Sequence, residues 1–182
     1  EIFPIASPMT ATMTATNPDQ RLHFPATARN REPIADVLQQ WLPNWGTILE
    51  IASGSGEHAV EFQQRFSHLR WQASDPDPQH RDSINAWIRH TDQTNTMARA
   101  LDIDVAQHPW PLPKNVQACL SAIVCINLLH ISSKDCTTAL LQQAAECLPK
   151  QAPLMIYGPF KRYGAHTSLS NSSFDASLRE RN

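Results

Sequence analysis

The densest chemistry in the chain lies in one run, Ile48-Leu49-Glu50-Ile51-Ala52-Ser53-Gly54-Ser55-Gly56-Glu57-His58. An apolar strand-like stretch passes through small residues into the start of a helix. Ala52, Gly54 and Gly56 leave the backbone bare enough for a ligand to lie against it, and the helix N-terminus just beyond offers unpaired N–H groups. Glu50 sets a carboxylate inside the strand end, where it would repel a diphosphate and receive a cation. The run departs from the dinucleotide pattern G-x-G-x-x-G, because only Gly54 and Gly56 are in place and Ala59 would have to serve as the third glycine. It also lacks the Gly-Lys-Ser/Thr ending of a phosphate loop.

S-Adenosylmethionine carries such a cation in its α-amino group, so E-x-A-x-G-x-G favours that cofactor over NAD. Glu50, Ala52, Ser53, Gly54, Gly56 and His58 are therefore candidate cofactor contacts; the plain alternative is a glycine turn with a packing role. Asp75 follows Gly56 by 19 residues, the distance at which Rossmann-like folds put a carboxylate on ribose hydroxyls. Asp77, in Ser-Asp-Pro-Asp-Pro, reads as a turn former before the next helix. In Leu-Asp-Ile-Asp-Val, Asp104 is expected at the adenine amino group, with Val105 as an apolar wall.

Hydrophobic periodicity supplies the elements that must position these groups. Ile34, Val37, Leu38 and Trp41 mark an amphipathic helix within 27–41, with its regular part expected from Pro33. Strands are expected over 47–52, 69–74, 97–103, 121–127 and 153–157. Helices are expected over 57–66, 79–89 and 135–148, the last with Leu141, Ala144, Ala145 and Leu148 inward. This alternation predicts an α/β fold, a mostly parallel sheet with helices on both faces and ligands gathered beyond the carboxyl ends of the strands.

The 182 residues suit one domain over 21–182, preceded by a Thr-, Ala- and Pro-rich tail over 1–20. Fifteen basic residues against 17 acidic ones give a net charge of −2, which offers no support for a nucleic-acid partner. No apolar run approaches the ~18 residues of a membrane span, and the first 20 residues lack a signal peptide's charged head and apolar centre. Four scattered cysteines without a C-x-x-C pair read as reduced thiols, and eight histidines form no ligand cluster. A soluble cytoplasmic protein with no metal is expected.

The run from Leu49 to His58 resembles the first motif of the class I S-adenosylmethionine-dependent methyltransferases, whose acidic residue stands where Glu50 does. Six motifs in order extend the likeness: 24–30 (Phe-Pro-Ala-Thr-Ala-Arg-Asn), 49–58, 71–77 (Trp-Gln-Ala-Ser-Asp-Pro-Asp), 126–132 (Ile-Asn-Leu-Leu-His-Ile-Ser), 157–161 (Tyr-Gly-Pro-Phe-Lys), and Ser170-Asn171 with Phe174-Asp175 and Leu178-Arg179. Together they resemble the small methyltransferase-like twenty-six family over 21–182. The resemblance implies a Rossmann-like class I methyltransferase fold and a small-molecule acceptor near the ends of the first and fourth strands. There Asn127 would orient the acceptor and His130 would take its proton. Arg29 and Asn30 would face the cofactor, Arg29 clamping the methionine carboxylate. Tyr157, Lys161 and Asn171 would line the acceptor mouth.

Two departures stand against that pattern. Ser121 occupies a position expected to be acidic, and the chain stops near Arg179 without the C-terminal antiparallel hairpin strands, so either a fragment or a homo-oligomer covering the fifth strand is expected. Two rival readings are a cofactor-binding protein without catalytic competence and a nicotinamide-dependent oxidoreductase, which shares the strand, glycine turn and carboxylate.

Overall fold

A computed structural model describes residues 19–180; most of the expected tail, residues 1–18, lies outside the described residues. The elements follow as α1 (Pro25–Trp41), β1 (Thr47–Ile51), α2 (Glu57–Arg65), β2 (Arg70–Ala73), α3 (Pro78–His90), α4 (Lys114–Cys119), β3 (Leu120–Ile126), α5 (Lys134–Cys147), β4 (Leu154–Tyr157) and α6 (Leu169–Arg179). The four strands form one parallel sheet in the order β2-β1-β3-β4.

Every residue of β1 and β3 is buried, as in a sheet covered on both faces. Alternation splits their side chains between two cores. Ile48, Trp71, Ala73, Val124 and Ile126 meet Ile34 and Leu38 of α1, Phe62 of α2 and Ile84 of α3. Leu49, Ile51, Ile123 and Cys125 meet Leu140 and Ala144 of α5. The expected α/β layering is therefore present, with the crossovers placing loops at the carboxyl ends of the strands.

The sequence expectations need correcting in four places. The segment 97–103, expected as a strand, makes one parallel bridge from Leu101 to Ser74 and is otherwise irregular. Side chains take the backbone groups that a ladder would use: the Gln72 amide donates to the Arg99 carbonyl, and the Ala100 N–H donates to Asn85 Oδ1, both at 3.0 Å. Helix α1 starts at Pro25 rather than Pro33, which sits inside it and leaves the Arg29 carbonyl without its helical N–H. Val37 and Trp41 are 53% and 66% exposed, so Ile34, Ala35 and Leu38 form its buried stripe. On α5 Ala144 is buried and Leu148 packs partly buried against the second core as expected, but Leu140 and Gln143 are buried in place of Leu141 and Ala145, which face outward.

Helix α6 falls in a stretch where polarity had hidden any period. Ser168 caps it, its hydroxyl accepting from the Asn171 N–H at 3.1 Å, and none of its residues is fully buried. All four cysteines are free, and burial pushes the Cys125 thiol up to about 12. No helix among the described residues is long and apolar enough to cross a membrane.

Candidate functional site

Strand β1 ends in a left-handed residue, Ala52 at φ 57°, and the turn continues through Gly54 at 58° and Gly56 at 90°. Its neighbour strand anchors it. The Ser53 N–H donates to the Ser74 carbonyl at 2.8 Å, the Ser74 hydroxyl donates to the Glu50 carbonyl at 2.6 Å, and the Gly54 N–H donates to Asp75 Oδ2 at 2.9 Å. The two bare positions differ in purpose. A Cβ on Gly56 would stand 2.7 Å from Ile84 Cα, so Gly56 is bare because α3 packs there. A Cβ on Gly54 would meet only the Phe24 ring, at 3.0 Å.

Above this turn opens a cavity of about 1100 Å³, larger than the roughly 300–1,000 Å³ of ordinary small-molecule sites. It lies beyond the carboxyl ends of the strands, as the alternation predicts. Glu50 forms part of its wall while only 1% exposed. The Trp71 indole N–H donates to Glu50 Oε2 at 2.9 Å, yet burial outweighs this bond and the Ser53 hydroxyl, and pushes the carboxyl up to about 7. Burial thus disfavours the ionised form, and a cation beside the group would favour the carboxylate.

Asp75 is also buried, and its carboxylate is largely engaged. Oδ2 accepts from Gly54 N–H, while Oδ1 accepts from the Asp77 N–H at 3.0 Å and faces His80 Nδ1 at 3.1 Å. Of its roughly four lone-pair positions, about one is left for a ligand hydroxyl. Asp77 does the local work expected of it, accepting from the Gln79 N–H at 2.8 Å to cap α3.

A tether brings the segment before α1 over the turn. Glu57 Oε2 accepts from the Phe24 N–H and from the Ser55 hydroxyl, each at 2.8 Å, which holds the Phe24 ring above Gly54 and edge-on to His80. Asn30 and His58 lock α1 to α2 through Asn30 Oδ1 and His58 Nε2, 2.9 Å apart. Burial pushes the His58 imidazole down to about 4, so it is neutral and its Nε2–H donates. Arg29 lies exposed on the same wall.

Asn127 ends β3 at φ 59° and donates its N–H to the Tyr157 carbonyl at 2.9 Å. With His130, Tyr157 and Asn171 it closes the far side of the cavity. Burial holds the half-buried His130 imidazole below its ordinary value, and its ring stands edge-on to Phe174 at 5.3 Å.

Of the residues singled out by sequence, Arg29, Asn30, Glu50, Ala52, Ser53, Gly54, His58, Asp75, Asn127, His130, Tyr157 and Asn171 meet at this one cavity. Gly56, Asp104, Val105 and Lys161 are not in its wall. Asp104 is exposed and caps a turn, accepting from the Ala106 N–H at 2.9 Å; Val105 is buried in the second core near Trp110. Without a strand over 97–103, nothing aims either of them at the cavity. Lys161 lines a smaller neighbouring chamber. Phe24, Trp71, His80 and Phe174 escaped assignment; three fall in the quoted motifs, but their roles depend on contacts between distant segments. Among the described residues no group of three or more His, Cys, Asp or Glu side chains could hold a metal ion.

The model of the family described as "Protein of unknown function (DUF938)" matches residues 21–182. Solved structures share the fold at low identity. The apo S-adenosylmethionine-dependent methyltransferase SibL superposes with a TM-score of 0.67 at 14% identity, over 84% of this chain and 42% of that one. An O-methyltransferase family protein from Burkholderia thailandensis gives 0.63 at 17%, over 84% and 45%. The geranyl diphosphate C-methyltransferase of Streptomyces coelicolor A3(2), in complex with Mg2+, geranyl diphosphate and S-adenosyl-L-homocysteine, gives 0.60 at 15%, over 84% and 56%. The chain thus spans 42–56% of the length of these three and has the Rossmann-like methyltransferase fold.

Proposed function

The chain belongs to the DUF938 family, and from that membership, the fold and the cavity we propose that it is an S-adenosylmethionine-dependent methyltransferase acting on a small-molecule acceptor. The observation that carries this reading is Glu50, a buried carboxyl in the cavity wall beside the bare turn, held by an indole N–H and poised to ionise when a cation arrives. An ammonium group completes that environment and a diphosphate opposes it, which disfavours the nicotinamide alternative. The six ordered motifs further support kinship with the methyltransferase-like twenty-six family.

When bound, S-adenosylmethionine supplies an electrophilic methyl carbon: the acceptor's lone pair forms the new bond while the carbon–sulfur pair returns to sulfur, leaving S-adenosylhomocysteine. Glu50 receives the α-amino group and Arg29 the methionine carboxylate. Asp75, with about one free lone-pair position, takes a ribose hydroxyl. Phe24, Pro76 and His80, which line the cavity beside Asp75, would hold the base in place of Asp104 and Val105. Asn127 orients the acceptor, and neutral His130 takes the proton that the acceptor releases.

Calorimetric titration with S-adenosylhomocysteine tests the reading. Binding to the natural sequence is expected, with a loss of about tenfold or more in Glu50→Gln and in Asp75→Asn. NADH binding in the absence of any S-adenosylhomocysteine signal would replace it with a dinucleotide site.

A further inference from the structure

Beyond β4 the chain folds back through residues 158–168 into α6 and, with the start of α5, encloses a second chamber of about 340 Å³. Its size is at the small end of ligand sites, roughly 300–1,000 Å³, and suits a single ring. The two cavities share His130, Tyr157, Gly158, Pro159, Asn171 and Phe174. Leu129, Phe160 and Leu178 give the chamber an apolar wall, and Lys161, His166 and Asp175 line it without lining the larger cavity. The charged residues therefore stand away from the junction at which His130 sits.

Charge at that end is unbalanced. Asp175 Oδ2 is approached by Arg179 Nε at 3.0 Å, by His166 Nε2 at 3.3 Å and by Lys161 Nζ at 3.5 Å. One carboxylate thus faces two permanent cations and an imidazole. Arg179, one helical turn away at i+4, is the nearest partner, and it is the group that chiefly holds Asp175 below the usual carboxylate range. Lys161, the most distant of the three, carries charge that Asp175 does not need for its own neutralisation, and it is the cation in the chamber wall.

We propose that this chamber is the acceptor site and that it takes a small aromatic carboxylate, its anionic group on Lys161, its ring against Phe160 and Phe174, and its methylated atom at the His130 junction. The assignment of the chamber to an acceptor rests on the methyltransferase reading; the preference for a carboxylate rests on the charge arrangement alone.

The test titrates the whole protein, with and without saturating S-adenosylhomocysteine, with 4-hydroxybenzoate, its neutral isostere 4-hydroxybenzamide and the cation tyramine, following ligand and protein shifts by NMR. The benzoate is expected to bind about tenfold more tightly than the amide. Lys161→Met, which keeps the side chain's apolar stem, should abolish that preference, and Asp175→Asn should increase it. Equal binding of amide and acid, tighter binding of tyramine, a preference that survives Lys161→Met, or no binding of any probe at millimolar concentration would each overturn the proposal. If the benzoate shows its Lys161-dependent preference while S-adenosylhomocysteine never binds, the methyltransferase reading falls and the anion pocket stands. If S-adenosylhomocysteine binds and the benzoate shows no preference, the reverse holds.

Discussion

The indole N–H of Trp71 donates to Glu50 Oε2 at 2.9 Å across neighbouring strands, and both side chains are buried. The bond favours the ionised carboxyl, but burial prevails and leaves it at about 7 against an ordinary 4.5. Binding of an ammonium ligand should therefore release a proton. Affinity for S-adenosylhomocysteine is expected to weaken as pH falls through about 7, by up to about tenfold per unit. Glu50→Gln should flatten that profile and Trp71→Phe should move its midpoint upward, both read by calorimetry across pH 5.5 to 8.5.

The same carboxyl sets a stability trend in the unliganded protein. Its folded value is raised, so its contribution is present in full below about 4.5 and is lost as pH rises through about 7. Glu50→Gln is expected to stabilise the unliganded protein at pH 8 by up to about 3 kcal/mol, measured by denaturant unfolding.

His58 has the opposite sign. Its folded value is pushed down to about 4 from 6.5, so its contribution is present above 6.5 and is lost as pH falls through about 4. Thermal melting of His58→Gln against the natural sequence should show a gap that narrows or inverts between pH 7 and pH 4, with a linked range of up to about 3 kcal/mol.

The two turn glycines should separate packing from access. Gly56→Ala forces a Cβ to 2.7 Å from backbone at Ile84, where nothing can rotate away, at φ 90°. A loss of about 2–4 kcal/mol is expected from the combined strain and overpacking. Gly54→Ala meets only the Phe24 ring and should cost about 1 kcal/mol, yet weaken S-adenosylhomocysteine binding far more than its effect on melting suggests.

His130→Gln should lower methyl transfer about 10²-fold or more while leaving S-adenosylhomocysteine affinity nearly unchanged. Because burial holds His130 below its ordinary value, turnover of the natural sequence with cofactor saturating at every pH should decline only on the acid side, and the variant should lose that limb. Single-turnover rates across pH, compared with binding measured separately, distinguish this from a packing role.

What the sequence disclosed was what lies close along the chain. The turn from Glu50 to His58 and the 19-residue step to Asp75 are local spacings, and the strands that carry them are short apolar runs with one reading. The partners of those groups were hidden because they depend on register: Trp71 reaches Glu50 only because Glu50 sits opposite Ala73 in the parallel ladder. The expected position of Asp104 depends on a strand that Gln72 and Asn85 pre-empt with their side-chain amides. Helix α6 buries no residue fully, so it left no apolar period to read; its Ser168 cap was the one local signal. Leu140 and Leu141 are neighbours of equal hydropathy, and only contact with β3 decides which turns inward.

Ala52 and Asn127 end adjacent strands with left-handed backbone, at φ 57° and 59°. Neither is glycine, so each carries a conformational cost that the surrounding fold must sustain, about 1–2 kcal/mol for Ala52 and less for Asn127, whose short amide tolerates that region. Both stand where the paired strands β1 and β3 run out and the chain enters the loops that border the cavity. A β-branched residue at Ala52 would raise that cost with every reacting group still present, whereas glycine there would relieve it. At Ala52, main-chain strain and the identity of the chemistry are therefore separable.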